Sequence, residues 1–420
     1  MGFADFYLKK NNTSPLSIQE PPSGLLNYIV VIPAFSEPDL LKTLNSLKTC
    51  TPTEKHAEVL ILVNFPERSS VEIKNTNRDL FEEIKEWIKA NQSKWLRFIP
   101  LIIHDLPHKH AGVGYARKIL MDTAVSRLAS VNNPDGCIIS LDADTLVPKN
   151  YLADIEGYIK NKPKYGCLIL NFEHPTSGSE FSATVYNSII QYELYLRYYK
   201  RILRSTGFPY SEYTLGSCFA IKAETYIKVG GMNRRKAGED FYFLNKVFPV
   251  AKVQFLKDII VIPSPRPSWR VPFGTGPTVR RLTGMNSEEL ETYNPSSFYD
   301  LSLFINIIPL LYKKNIPEIK AILADLPDGI LNYLQLVDYL NKIQEINDNC
   351  SEKESFIKRF YNWFDSFMVI KYLNFCKKNN YPPISIAEAT RAFLYKIGDK
   401  PESNSILGLL EHLRMKDLAE

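Results

Sequence analysis

The chain is poor in the residues that build disulfide frameworks or closed transition-metal sites. Six cysteines occur in 420 residues, at Cys50, Cys137, Cys167, Cys218, Cys350 and Cys376, and no two of them show a metal-ligand spacing. Cys137, Cys167 and Cys218 lie inside apolar stretches and read as buried thiols, so a reducing compartment is expected. Residues 1–23 have no signal-peptide apolar core. The most apolar segment, Leu301 to Tyr312, is too short for a bilayer span and is interrupted by Asn306 and Pro309. The expected location is the cytoplasm, without a transmembrane segment and with peripheral membrane contact left open. No Lys/Arg block stands out, and a formal charge of +5 is small for this length. Nucleic acid is therefore not implied, although a modestly basic cleft for an anionic substrate is compatible. Internal repeats and low-complexity tracts are also lacking.

What is present is ordinary globular composition, 45% hydrophobic and 23% charged, and enough length for one large domain with a second appended. Short apolar runs alternate with helical spacing. Tyr28 to Pro33, Glu58 to Asn64, Leu96 to His104 and Cys137 to Leu141 read as strands. Asp39 to Lys48, Asp79 to Asn91 and Gly112 to Arg127 read as the helices between them. Further strands are expected at Tyr165 to Asn171, Ser217 to Ile221 and Val253 to Ile262, with a long aromatic helix over Glu180 to Leu203 and a loop over Pro263 to Gly284. This alternation predicts an α/β fold with a mostly parallel sheet flanked by helices. After about Asn294 the pattern becomes helical. The expected division is an N-terminal extension (1–26), an α/β domain (27–290) and a helical C-terminal region (291–420).

The run Cys137 to Leu141 ends in Asp142-Ala143-Asp144. Carboxylates at the carboxyl end of a central strand lie where open α/β sheets bind ligands. Hard oxygen ligands of this kind suit Mg²⁺ or Mn²⁺ shared with a substrate phosphate. An isolated Asp-x-Asp is equally well explained by turn capping and solvation. His104, His108 and His110, three histidines within seven residues, raise the alternative of a transition-metal site, which no second ligand cluster supports.

Four local features stand out, the carboxylates among them: Val31-Ile32-Pro33-Ala34-Phe35-Ser36-Glu37; Ala111-Gly112-Val113-Gly114-Tyr115-Ala116-Arg117-Lys118; the Asp142/Asp144 pair; and Gly216-Ser217-Cys218, continuing through Gly230-Gly231 to Gly238-Glu239-Asp240. Together, over roughly residues 27 to 280, they resemble the family-2 glycosyltransferases of GT-A fold. The resemblance implies an inverting enzyme that moves a sugar from a nucleotide-diphosphate donor to an acceptor hydroxyl on a glycan or other acceptor, in polysaccharide or glycoconjugate synthesis. It implies donor contacts from Pro33, Phe35, Glu37, Asn64, Arg117, Asp142 and Asp144. It also implies a Mg²⁺ or Mn²⁺ ion on Asp144 with help from Asp142, and Asp240 as catalytic base.

Glu239, Trp269 and Arg270 are expected on the acceptor side or in a lid, with Arg266 beside them. A helix start at Asp240 by itself favours the ionised carboxylate. Two departures from the family pattern stand out. Asn64 replaces the usual Asp at the end of the second strand, and no His lies between His174 and His412 to add a metal ligand. The alternatives are a catalytically silent scaffold of the same fold that binds sugars or partners, and a metal-dependent nucleotidyltransferase.

Overall fold

The structure, a computed structural model, describes residues 2–10, 15–107, 111–235, 238–284 and 289–420. The chain forms two compact units, residues 1–186 with 214–280 and 420, and residues 187–213 with 281–419.

The first unit begins with a short helix, α1 (Asp5–Lys10). There follow β1 (Leu26–Ala34), α2 (Leu40–Lys48), β2 (His56–Pro66), α3 (Val71–Asn91), β3 (Leu96–Leu106), α4 (Val113–Ser130) and β4 (Cys137–Ser140). The chain continues through β5 (Thr145–Leu146), α5 (Tyr151–Asn161), β6 (Cys167–Phe172) and α6 (Ala183–Ser205), which runs on into the second unit. Then come β7 (Phe219–Lys222), α7 (Ala223–Lys228), α8 (Glu239–Val247), β8 (Val253–Pro263) and α9 (Thr275–Gly284).

The strands make one eight-stranded sheet in the order β3-β2-β1-β4-β7-β6-β8-β5. The pairs β1–β2, β2–β3, β1–β4 and β6–β8 are parallel; β7 runs antiparallel to β4 and β6, and β5 antiparallel to β8. The expected α/β fold with a mostly parallel sheet is therefore present. Burial explains the sequence pattern: β1, β2 and β4 are buried almost throughout, so each reads as a continuous apolar run.

Topology decides which residues meet. Because β1, β2 and β4 run parallel, the residues after Ala34, Val63 and Ser140 emerge at one edge. Ser140 pairs with Phe219, so antiparallel β7 brings Gly216 to Cys218 to that edge from the opposite chain direction. Thr145 pairs with Pro263, which starts the Pro- and Gly-rich segment beside the Asp pair.

Three local expectations are corrected. Pro33 does not end its strand but pairs within it, opposite Leu62. The helix expected from Asp79 begins eight residues earlier, where Ser70 caps it by accepting from the Ile73 N–H at 3.3 Å. Polar residues in its first turns hid the periodicity. The segment Pro263 to Gly284 is not loop throughout, because its last part is α9; Pro277 in the first turn of that helix needs no intrahelical N–H partner.

The second unit is helical, with α10 (Pro295–Ile307) near its start and Ile406–Ala419 at its end, and a two-stranded ribbon pairing Glu291–Thr292 with Ile384–Ser385. Its interior is apolar and aromatic, with polar tips satisfied as in the Tyr372 hydroxyl donating to the Ser297 carbonyl at 2.9 Å. Among the described residues, no helix is long and apolar enough to cross a membrane.

Candidate functional site

All the residues that follow belong to the first unit. At the edge where β4 ends, Asp142 accepts from Arg117 Nη2 at 2.7 Å. Arg117 is only 2% exposed and also donates from Nε to Glu239 Oε1 at 3.1 Å, and from Nη1 to Ser140 Oγ at 2.7 Å and the Gly216 carbonyl at 3.2 Å. This corrects two expectations. Arg117 does not face the cleft as a free cation for the donor; it is a buried strut that ties Asp142 to the start of α8. Glu239 does not line an acceptor surface, because it is buried against that guanidinium.

The glycines make this packing possible. A Cβ on Gly114 would lie 2.3 Å from the Arg235 carbonyl oxygen and 2.7 Å from Glu239 Cβ, so α4 can approach the start of α8 only with glycine there. A Cβ on Gly216 would lie 2.7 Å from Arg117 Nη2 and 3.4 Å from Asp240 Oδ2. Lys118, the neighbour of Arg117, turns away from the edge. It donates to Asp122 at 2.8 Å, and Asp122 also accepts from the Tyr7 and Tyr226 hydroxyls at 2.8 Å each, which anchors α1.

Asp240 lies in the first turn of α8, after Glu239, and accepts from the Phe241 N–H at 2.7 Å. The helix start does not lower its pKa as expected. Burial, with the neighbouring Glu239 charge, outweighs Arg117 and that N–H bond and pushes it up to about 7. Asp144 is likewise pushed up to about 7, first by burial and then by Glu37 and Asp142, against the pull of Arg270 and Arg266.

Glu37 is buried beneath the segment after β8. Arg266 Nη2 donates to both of its oxygens at 2.6 Å, and Arg270 Nη1 donates to Oε2 at 2.7 Å and to the Phe35 carbonyl at 2.9 Å. Trp269, between the two arginines in sequence, is 66% exposed. Phe35 is half-buried where β1 ends. Asn64 is buried near the end of β2, one residue beyond the Ala34–Val63 pair, and among the described residues no hydrogen bond engages its side-chain amide.

Sequence reasoning missed Asn77. This buried residue of α3 accepts from the Ser36 N–H at 2.8 Å and donates to Ser36 Oγ at 2.9 Å, holding Ser36 at φ 47°. An Asn in the first turns of a helix reads as a weak helix former, and nothing local signals its partner.

The carboxylates fit a hard divalent cation. Asp142 keeps one oxygen unbonded with its side chain 37% exposed, and Asp144 is 27% exposed with its nearest cations at 3.8 and 4.0 Å, beyond hydrogen-bond length. Among the described residues no group of three or more His, Cys, Asp or Glu gathers to hold a metal. Asp142 and Asp144 are two carboxylates, and Mg²⁺ commonly takes one or two when phosphates and waters complete its shell. Of the three clustered histidines, His104 is exposed with its ring 5.5 Å from Phe65, while His108 and His110 lie outside the described residues.

No protein-family model and no curated protein matches the chain. Among solved structures it is similar to S. aureus TarS 1–349, at 15% identity and a TM-score of 0.38 over 57% of this chain and 60% of that one. It is similar to the same fragment in complex with UDP-GlcNAc at 14% identity and a TM-score of 0.40, over 94% of this chain and 89% of that one. It is also similar to the mannosyltransferase PcManGT from Pyrobaculum calidifontis in complex with GDP-Man and Mn²⁺, at 13% identity and a TM-score of 0.37, over 89% and 93%.

Proposed function

We propose that the first unit is an inverting glycosyltransferase, moving a sugar from a nucleotide-diphosphate donor to an acceptor hydroxyl with the aid of Mg²⁺ or Mn²⁺. The observation that carries this reading is the charge imbalance at the sheet edge. Six carboxylates (Glu37, Asp39, Asp142, Asp144, Glu239 and Asp240) meet three guanidinium groups (Arg117, Arg266 and Arg270), so the carboxylates outnumber the arginines. A divalent cation held there would supply charge stabilisation to the departing diphosphate. Asp142 and Asp144 are the residues that would hold it.

The remaining roles fall to the chain's own groups. Arg117 fixes the orientation of Asp142 and of the start of α8. Asp240, held through one oxygen by the Phe241 N–H, offers the other to the acceptor hydroxyl proton. Its elevated pKa makes it a stronger base than an ordinary carboxylate, and a positioned base is worth roughly 10²–10⁴ in rate. Attack from the side opposite the leaving group gives inversion. Asn64, whose amide no hydrogen bond engages among the described residues, would read the nucleobase, with Phe35 one residue beyond Ala34 on the neighbouring strand. Six free, buried cysteines are compatible with a reducing compartment.

A panel of nucleotide sugars incubated with Mn²⁺ tests the reading. Release of a nucleoside diphosphate supports it. Pyrophosphate release would assign nucleotidyl transfer instead, and absence of metal-dependent binding to every donor would leave a scaffold.

A further inference from the structure

The two arginines after β8 are bound unequally to the carboxylates around them. Arg266 makes hydrogen bonds of 2.6 Å to each Glu37 oxygen and 2.8 Å to Asp39, and Arg270 makes one of 2.7 Å to Glu37. The same guanidinium groups stand only 3.8 and 4.0 Å from Asp144 Oδ2, too far for hydrogen bonds but close enough to attract its charge. Glu37 is thus the anchor and Asp144 the loosely held partner. The arginine side chains are 19% and 22% exposed, so an incoming anion can reach them.

We propose that Arg266 and Arg270, anchored on Glu37, are a built-in counter-ion for Asp144, so that a free divalent cation must compete with them and a diphosphate relieves the competition. The inference rests on the glycosyl-transfer reading of this site. Two positive charges about 4 Å from the carboxylate repel an approaching dication, and partial burial limits screening by salt. A diphosphate offers oxygens that match guanidinium forks, drawing the arginines outward while supplying further ligands to the cation. Cation and nucleotide then bind with positive coupling, which must be reciprocal. The site would therefore stay closed to metal until the donor arrives.

The test is a titration with Mn²⁺ alone, read by the electron paramagnetic resonance signal of the free ion, and then with Mn²⁺ plus UDP or GDP. In Arg266→Gln/Arg270→Gln the affinity for Mn²⁺ alone should rise by about tenfold or more, and the enhancement by nucleotide should shrink. Should an unpaired buried Glu37 prevent folding, the triple variant that adds Glu37→Gln removes that charge and is measured the same way. Unchanged or weaker binding of Mn²⁺ alone overturns the proposal, provided that the wild type still shows nucleotide-enhanced binding that Asp144→Asn abolishes. Absence of nucleotide-enhanced Mn²⁺ binding in the wild type overturns the glycosyl-transfer reading and this inference together.

Discussion

In the helical unit Asp417 is fully buried and accepts hydrogen bonds from Arg197, from Arg201 at 2.7 Å and from Tyr213 at 2.5 Å, with Lys200 at 3.6 Å. At the sheet edge of the first unit, Asp144 faces Glu37 and Asp142 against Arg266 and Arg270, and Asp240 faces Glu239 and Asp142 against Arg117 alone. Burial acts upward on the pKa in both places. Around Asp417 it is overcome by Lys200, Arg197 and Arg201, and the carboxyl is held below its ordinary value. Around Asp144 and Asp240 burial wins, aided by Glu37, Asp142 and Glu239. The same residue types therefore yield a saturated internal brace in one unit and, in the other, a site with charge left over for a proton or a cation. A buried cluster that balances itself is architecture; one that does not invites a ligand.

The contrast breaks most visibly at Asp144. Asp144→Ala should abolish metal-dependent donor binding while the protein stays folded, and undiminished nucleotide-sugar affinity in Mn²⁺ would remove Asp144 from the site. Asp417→Ala should do the reverse. It strands buried cations and should cost about 3–5 kcal/mol of stability, as expected when one partner of a buried ion pair is lost. Denaturant unfolding followed by helical signal would measure this, and a loss below about 1 kcal/mol would mean that the helical cluster is no brace.

Asp240→Asn keeps size and polarity but removes the proton acceptor. Transfer should fall by roughly 10² or more with donor affinity within a few-fold. A capping role instead predicts a lower unfolding temperature with turnover per folded molecule nearly unchanged, since Asn caps almost as well as Asp.

The raised pKa of Asp240 adds a pH signature. The base works ionised, so the wild-type rate should climb as pH rises through about 7. Stability should move oppositely. Between the ordinary carboxyl value of 3.8 and about 7 the folded protein holds a proton that the unfolded chain has released, so stability falls as pH rises across that window. Unfolding temperatures from pH 5 to pH 8 should decline less steeply in Asp240→Asn than in the wild type; identical slopes would place the titration elsewhere. The smallest effect is expected at Asn64, where Asn64→Asp should reorder preference among uridine, guanosine and thymidine donors. An unchanged ranking would deny it a role in reading the base.

The sequence by itself determined the strands and the carboxylate pair, because both are local. A strand buried on both faces must be a continuous apolar run, as Tyr28 to Pro33 and Cys137 to Leu141 are, and its carboxyl end must carry whatever polar residues come next. Tertiary structure decided what those polar residues do. Arg117 could be placed near the cleft from its motif, but that it turns inward depends on Glu239, 122 residues later, and on Gly216, 99 residues later. That both oxygens of Glu37 are held by Arg266 depends on a residue 229 positions away. The pKa of Asp240 reversed direction for the same reason. The helix start is visible in the sequence, whereas the burial and the neighbouring charges that outweigh it exist only after distant segments have packed together.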